Sequence, residues 1–192
     1  MIEVLLALGV IALGAVSVLA LFPYGLASSR DSVAESFAGD SADQFLHWFA
    51  AQARTGTGWT TYASDATWLP TTKLAVPAPG ASETSAWLPA PPSPPTMVTP
   101  NLGYRRHSSD AGILWVTFQR GDASQPIVDF SSVYRLWREP VTIPDPRPGS
   151  GGSDISLNTL SALAINLEAS WPAELPYQRR QKAVYRLEVF RP

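Results

Sequence analysis

The 192-residue chain contains no cysteine. Disulfides, thiol nucleophiles and cysteine-ligated zinc or iron–sulfur centres are therefore excluded. In an exported protein, stability would have to come from packing alone. Histidine is nearly as scarce: the two copies, His47 and His107, fall in no H-E-x-x-H or comparable signature. Charge is sparse as well. The 14 basic and 16 acidic residues leave a net charge of −2, which creates no general field to attract nucleic acid. That charge is uneven, with 7 acids and 3 bases (net −4) in residues 1–100 against 9 acids and 11 bases (net +2) in 101–192. Proline is what the chain has in excess, with 18 copies, nine of them between Pro70 and Pro100.

From Val4 to Phe22 charge is absent altogether, and Ser17 is the only polar side chain. Nineteen helical residues span about 28 Å, close to the hydrocarbon thickness of a bilayer. A cleaved secretory signal would be shorter, would open on positive charge and would end in small residues. This segment instead follows an acid, Glu3, and runs on into Pro-Tyr-Gly-Leu. A carboxylate within a bilayer costs roughly 2.5–3.5 kcal/mol on insertion scales, so it calls for a partner. The alternative is that Glu3, so near the chain's first residue, reaches the headgroup region.

A helical pattern continues beyond the apolar run. Ala38, Ala42, Phe45, Leu46, Phe49 and Ala53 follow the i, i+3, i+4, i+7 spacing of an amphipathic helix, and Thr55-Gly56-Thr57-Gly58 ends it. Continuous, this is one helix over residues 1–54, about 80 Å long. Residues 1–28 form its membrane or core half and 29–54 its amphipathic half. Gly14, Pro23 and Gly25 are its weak points, and proline predicts a kink or a melted stretch near 19–25.

Residues 55–103 form a Pro-rich connection, whose prolines argue against regular helix and central strand and for an extended, partly polyproline II path. Trp59, Trp68 and Trp87 would pin it to a domain surface, and its Ser/Thr/Pro mixture is compatible with glycosylation. Residues 104–192 read as sheet. GILWVTFQR, PIVDFSSVYRLWREPVTI, LSALAINLEASW and KAVYRLEVFRP are rich in β-branched and aromatic residues, and PDPRPGSGGSD is a flexible loop. In the last strand Ala183, Tyr185, Leu187 and Val189 form the face expected to be buried, with Val184, Arg186, Glu188 and Phe190 outside. The predicted class is α+β, with a long N-terminal helix whose apolar stripe packs on a C-terminal antiparallel sheet.

The run IEVLLALGVIALGAV starting beside Glu3, a proline about twenty residues later and an amphipathic continuation resemble the N-terminal helix of bacterial type IV pilins and type II secretion pseudopilins. The resemblance covers about the first 54 residues; the remainder matches in architecture only. It implies a structural subunit of an extracellular or periplasmic filament, held in the inner membrane before assembly. Its partners would be copies of itself or other pilins and pseudopilins, together with the pilus or secretion assembly machinery. In the family the acid neutralises the amino terminus of a neighbouring subunit, which assigns Glu3 and Met1 to register. The helix packing and kink positions would be Gly9, Gly14, Pro23 and Gly25. The pattern departs at the start: the family's mature chain usually opens on a methylated aromatic residue with the acid four residues later, whereas only Met1 and Ile2 precede Glu3 here. That leaves open which residue carries the mature amino group.

The residues leave two further readings: a minor pseudopilin that caps or primes a filament, and a single-pass membrane-anchored envelope binding protein. No enzyme, cofactor or metal is expected. Asp43 lies one turn before His47 without any nucleophile motif. Asp145 and Asp154 flank PRPGSGG but fall well short of a calcium ligand set. The basic runs Arg105-Arg106-His107 and Arg179-Arg180-Gln181-Lys182 read as solvated strand ends or salt bridges to a neighbouring subunit rather than as a nucleic-acid surface.

Overall fold

A computed structural model of the chain describes residues 2–64, 69–76, 87–89, 102–107, 110, 112–120, 127–145 and 154–192. Its compact units are Met1–Phe37 and Ala38–Pro192. Helix α1, Ile2–Ala53, supplies the whole described part of the first unit and enters the second. The helix runs through Pro23 without a break, so the melted stretch expected near residues 19–25 is not formed. Proline removes only one backbone donor and costs about 3 kcal/mol, which an otherwise intact ladder of strong helix formers can absorb.

The termination after Ala53 follows the Thr-Gly-Thr-Gly signal. The Thr55 hydroxyl and backbone N–H both donate to the Gln52 carbonyl, at 2.7 and 3.1 Å. At Gly58 the backbone passes so close to that carbonyl that a Cβ would lie 1.8 Å from it, and no side chain fits. A single π-helical turn follows at Trp59–Ser64, where an extended path was expected. It lies ahead of Pro70, the first proline of the Pro-rich stretch, so nothing in its own sequence forbids helical bonding. Trp59 is buried, whereas Trp68 lies outside the described residues.

The second unit is an α+β domain. Its strands are β1 (Trp87–Pro89), β2 (Leu102–His107), β3 (Ile113–Arg120), β4 (Ile127–Pro140), β5 (Thr142–Ile143), β6 (Ile155–Ser156), β7 (Ala162–Trp171) and β8 (Gln181–Phe190). Six of them form one antiparallel sheet in the order β1-β2-β3-β4-β7-β8, and β5 pairs with β6 separately. The sheet thus begins inside the Pro-rich stretch, and β1 occupies an edge, where the missing N–H of Pro89 is tolerated. The run expected as one strand to Ile143 divides after Pro140, and Thr142–Ile143 joins the other ladder. Most of the predicted PDPRPGSGGSD loop, residues 146–153, lies outside the described residues.

The amphipathic stripe of α1 packs as its spacing predicts. Ala38, Ala42, Phe45, Leu46, Phe49 and Ala53 are all buried, and the Phe45 ring lies 5.5 Å from that of Tyr104. Two tyrosines join helix to sheet through polar tips. The Tyr104 hydroxyl donates to the Ser41 carbonyl at 3.1 Å, while the Tyr134 hydroxyl bonds the Ser41 hydroxyl and reaches the Ala38 carbonyl at 3.3 Å. Burial pushes both phenols well above their ordinary pKa, so they stay neutral hydrogen-bonding groups. On β8 the expected alternation holds: Ala183, Tyr185 and Leu187 are half-buried and Val189 is buried, while Val184, Arg186, Glu188 and Phe190 are exposed. All ten residues of β7 are buried, because the opposite face of the sheet is covered too.

That cover includes a strap, residues 69–76. Leu74 and Val76 pack with Trp115 on a core of Ile113, Val133 and Ala173. The strap is tied to the sheet where the Arg138 N–H donates to the Pro70 carbonyl at 2.9 Å. Gly112 makes this crossing possible, since a Cβ there would meet the Pro70 ring at 2.8 Å. Truncation should separate packed from exposed helix positions. Phe45→Ala is expected to lower unfolding stability by about 3–5 kcal/mol and Val33→Ala by no more than about 0.5 kcal/mol, read from denaturant unfolding of the full chain in detergent.

Candidate assembly surface and a buried charge cluster

The most conspicuous chemical surface is the apolar half of α1. Between Val4 and Phe22, eleven large side chains (Val4, Leu6, Leu8, Val10, Ile11, Leu13, Val16, Val18, Leu19, Leu21 and Phe22) are each at least 58% exposed. They are spread around the helix rather than along one stripe. A helix apolar on all sides is stable only when buried in lipid or among other helices. At about 1.5–3 kcal/mol per large side chain removed from water, the drive to cover this segment is on the order of 15–30 kcal/mol. The helix is long and apolar enough to cross a membrane.

Glu3 lies in the first turn of α1 and is exposed. An acid in the first turn is favoured by the helix dipole by about 0.3–1 kcal/mol. The structure therefore gives Glu3 a local stabilising role in addition to any intermolecular one. Met1 lies outside the described residues. At Gly9, Gly14 and Gly25 a Cβ would meet nothing within 4 Å, so their smallness serves no contact among the described residues. Pro23 sits inside the unbroken helix.

The other residues marked in the sequence are local pairs. His47 lies 3.4 Å from Asp43 with both side chains largely exposed, and His107 lies 3.4 Å from Asp110. The Asp145 N–H donates to Asp154 at 3.4 Å, and no group of three potential metal ligands occurs among the described residues. The basic run near the end of the chain departs from expectation at Arg180. This side chain is buried and donates to the Leu175 and Ala173 carbonyls at 2.7 and 2.6 Å, fastening the connection between β7 and β8. Carbonyls at the right distance outweighed solvation, which the neighbouring charges in sequence could not reveal.

Sequence reasoning missed a buried ionic constellation centred on Glu168. Glu168 on β7 and Arg135 on β4 are direct cross-strand partners, and both are buried. Glu168 accepts from Arg135 Nε at 3.0 Å, from a second Arg135 nitrogen, from the Tyr177 hydroxyl at 2.9 Å and from Lys73 of the strap. The remaining Arg135 nitrogen donates to the Leu74 carbonyl at 3.0 Å. Burial alone would raise the Glu168 pKa. The hydrogen bonds from Lys73, Arg135 and Tyr177, with the positive charge of Arg135, overcome that and hold the carboxyl below its ordinary value. One acid, two cations and one phenol are thus joined in a single hydrogen-bonded cluster. The arrangement locks the strap and the β7–β8 connection to the sheet. Its only sequence signal was charge inside strand-like runs, and pairing residues 135 and 168 required the register.

No family model matches the chain, and neither a curated protein nor a solved structure does so.

The charge cluster makes a definite prediction about acid stability. Because the folded pKa of Glu168 is depressed, its stabilisation is complete above the unfolded carboxyl's pKa and is lost as pH falls through the folded value. Unfolding stability of the native chain should therefore decline on acidification below about pH 4.5, and Glu168→Gln should flatten that decline. At neutral pH the same substitution should cost about 3–5 kcal/mol, since it leaves Arg135 buried without its counter-ion. A variant with unchanged pH dependence would remove Glu168 from the account.

Proposed function

We propose that the protein is a structural subunit of a type IV pilin-like filament, inserted in the inner membrane before assembly and polymerising through α1. The observation that carries this reading is the all-round apolar, fully exposed segment Val4–Phe22 continuous in sequence with an amphipathic helix that packs on an antiparallel sheet. Lipid satisfies that segment in the membrane, and neighbouring copies of the same segment satisfy it in a filament. Ala7, Gly9, Ala12, Gly14 and Ala15 let such helices approach closely, as small residues do between membrane helices. The sheet domain would then form the filament's outer layer, and catalysis has no part in the function.

Glu3 sets register in this scheme. A carboxylate alone in an apolar core is costly, and so is a neighbour's amino terminus, but each relieves the other when paired. The apolar drive, on the order of 15–30 kcal/mol, exceeds the roughly 2.5–3.5 kcal/mol cost of one carboxylate. Packing therefore supplies affinity, and the charge pair selects among the stagger positions that packing alone would permit.

Glu3→Gln should accordingly leave the chain in the membrane fraction while reducing its recovery in sheared filaments about a hundredfold, equivalent to losing a buried charge pair. Leu13→Glu should reduce membrane retention itself. If Glu3→Gln chains enter filaments as well as the native chain does, the register role is wrong.

A further inference from the structure

Strand β8 is one edge of the six-stranded sheet, and the two edges differ. The opposite edge, β1, is three residues long and contains Pro89. β8 runs for ten residues with no proline, in unbroken register with β7 from Gln181 to Phe190. Folded proteins usually blunt such an edge with proline, a bulge or short length, because its free N–H and C=O groups are a template for pairing.

Which groups are free follows from one bond. The Arg191 N–H donates to the Ser161 carbonyl at 2.8 Å, and this pair continues the β7–β8 register. In an antiparallel ladder the groups of alternate residues point to opposite sides. The odd-numbered residues of β8 therefore bond to β7, and Lys182, Val184, Arg186, Glu188 and Phe190 direct their N–H and C=O groups outward. The side chains of these same residues lie on the exposed face of the strand. Val184 is 59% and Phe190 52% exposed, so this face of the strand carries two uncovered large apolar side chains.

We infer that this edge pairs antiparallel with β8 of a second copy of the chain, about a two-fold axis at Leu187. With that centre, Val184 faces Phe190 of the partner, and Arg186 faces Glu188 of the partner, each contact occurring twice. Centring one residue earlier would set Arg186 against itself, and one residue later Glu188 against itself. Centring at Tyr185 would set Val184 against a partner's arginine. Only the Leu187 register pairs both the opposite charges and the exposed apolar side chains. It also sets outward-pointing residues opposite one another, so that about eight backbone hydrogen bonds can close. Within one chain Arg186 bridges Glu139 at 3.5 Å and Glu188 at 3.2 Å, but these exposed pairs are weak enough to be shared or exchanged. A two-fold contact closes at two copies, so it pairs chains or joins filaments sideways rather than extending one. The inference does not depend on the filament reading.

The absence of cysteine makes the register directly testable by cross-linking. Full-length chains carrying Val184→Cys and chains carrying Phe190→Cys would be mixed in detergent and oxidised mildly. Facing residues in such a ladder have Cα atoms about 5.5 Å apart, within disulfide range. The expected result is a disulfide dimer from the mixture at least tenfold above that from either variant alone. Arg186→Glu introduced in both chains should abolish it, and adding Glu188→Arg should restore it. Equal cross-linking of the mixture and the single variants, or none in a chain that still folds by circular dichroism, would overturn the proposal. Dimers that persist in Arg186→Glu and form through α1 alone would overturn it as well.

Discussion

One constraint stands ahead of the rest: the apolar half of α1 has no covering among the described residues. Its large side chains are exposed all round, and the penalty for leaving them in water exceeds the net stability of an ordinary domain. The segment is long and apolar enough to cross a membrane, and the proposed function places it in lipid or among other helices. That placement gives meaning to features that would otherwise be incidental, namely small residues with nothing near them, a single acid at the helix head and a proline tolerated within the helix.

The second unit solves a different problem, folding without disulfides. Its solution is two-sided cover of the sheet. On one face the stripe of α1 contributes apolar packing, with Tyr104 and Tyr134 bonding helix carbonyls through neutral hydroxyls. On the other, the strap and the β7–β8 connection are held by Glu168 with its cations and phenol, and by Arg180 with backbone carbonyls. The first face depends on area and the second on specific geometry. Acid should loosen the second, because it contains Glu168, a carboxylate whose charge is structural.

Local periodicity made the helix and its packed stripe readable from the sequence, residue by residue, from Ala38 to Ala53. It also gave the inside and outside of β8, since a strand at a sheet's edge with one covered face alternates cleanly. It failed wherever the deciding contact was distant in sequence. β7 is buried on both faces because of a strap nearly a hundred residues earlier, and Glu168 is satisfied by Lys73, Arg135 and Tyr177 from three separate elements. Arg180 looked solvated for the same reason. Proline was an uneven guide: at Pro23 the helix stayed continuous, so of the kink or melted stretch expected there the melted stretch did not form, and before Pro70 a helical turn formed where the composition of the wider stretch argued for none. The residues proposed for assembly, Glu3 and the small residues of α1, were visible as types and positions, and the partners proposed for them would lie on other molecules.

The most direct test of the central claim is electron microscopy of sheared cell-surface material, with mass spectrometry of the chains it contains. Thin filaments built mainly from this chain, with Val4–Phe22 retained in the mature protein, are the predicted result. Recovery of the chain solely in the membrane fraction, or as a trace component of filaments made from another protein, would contradict it.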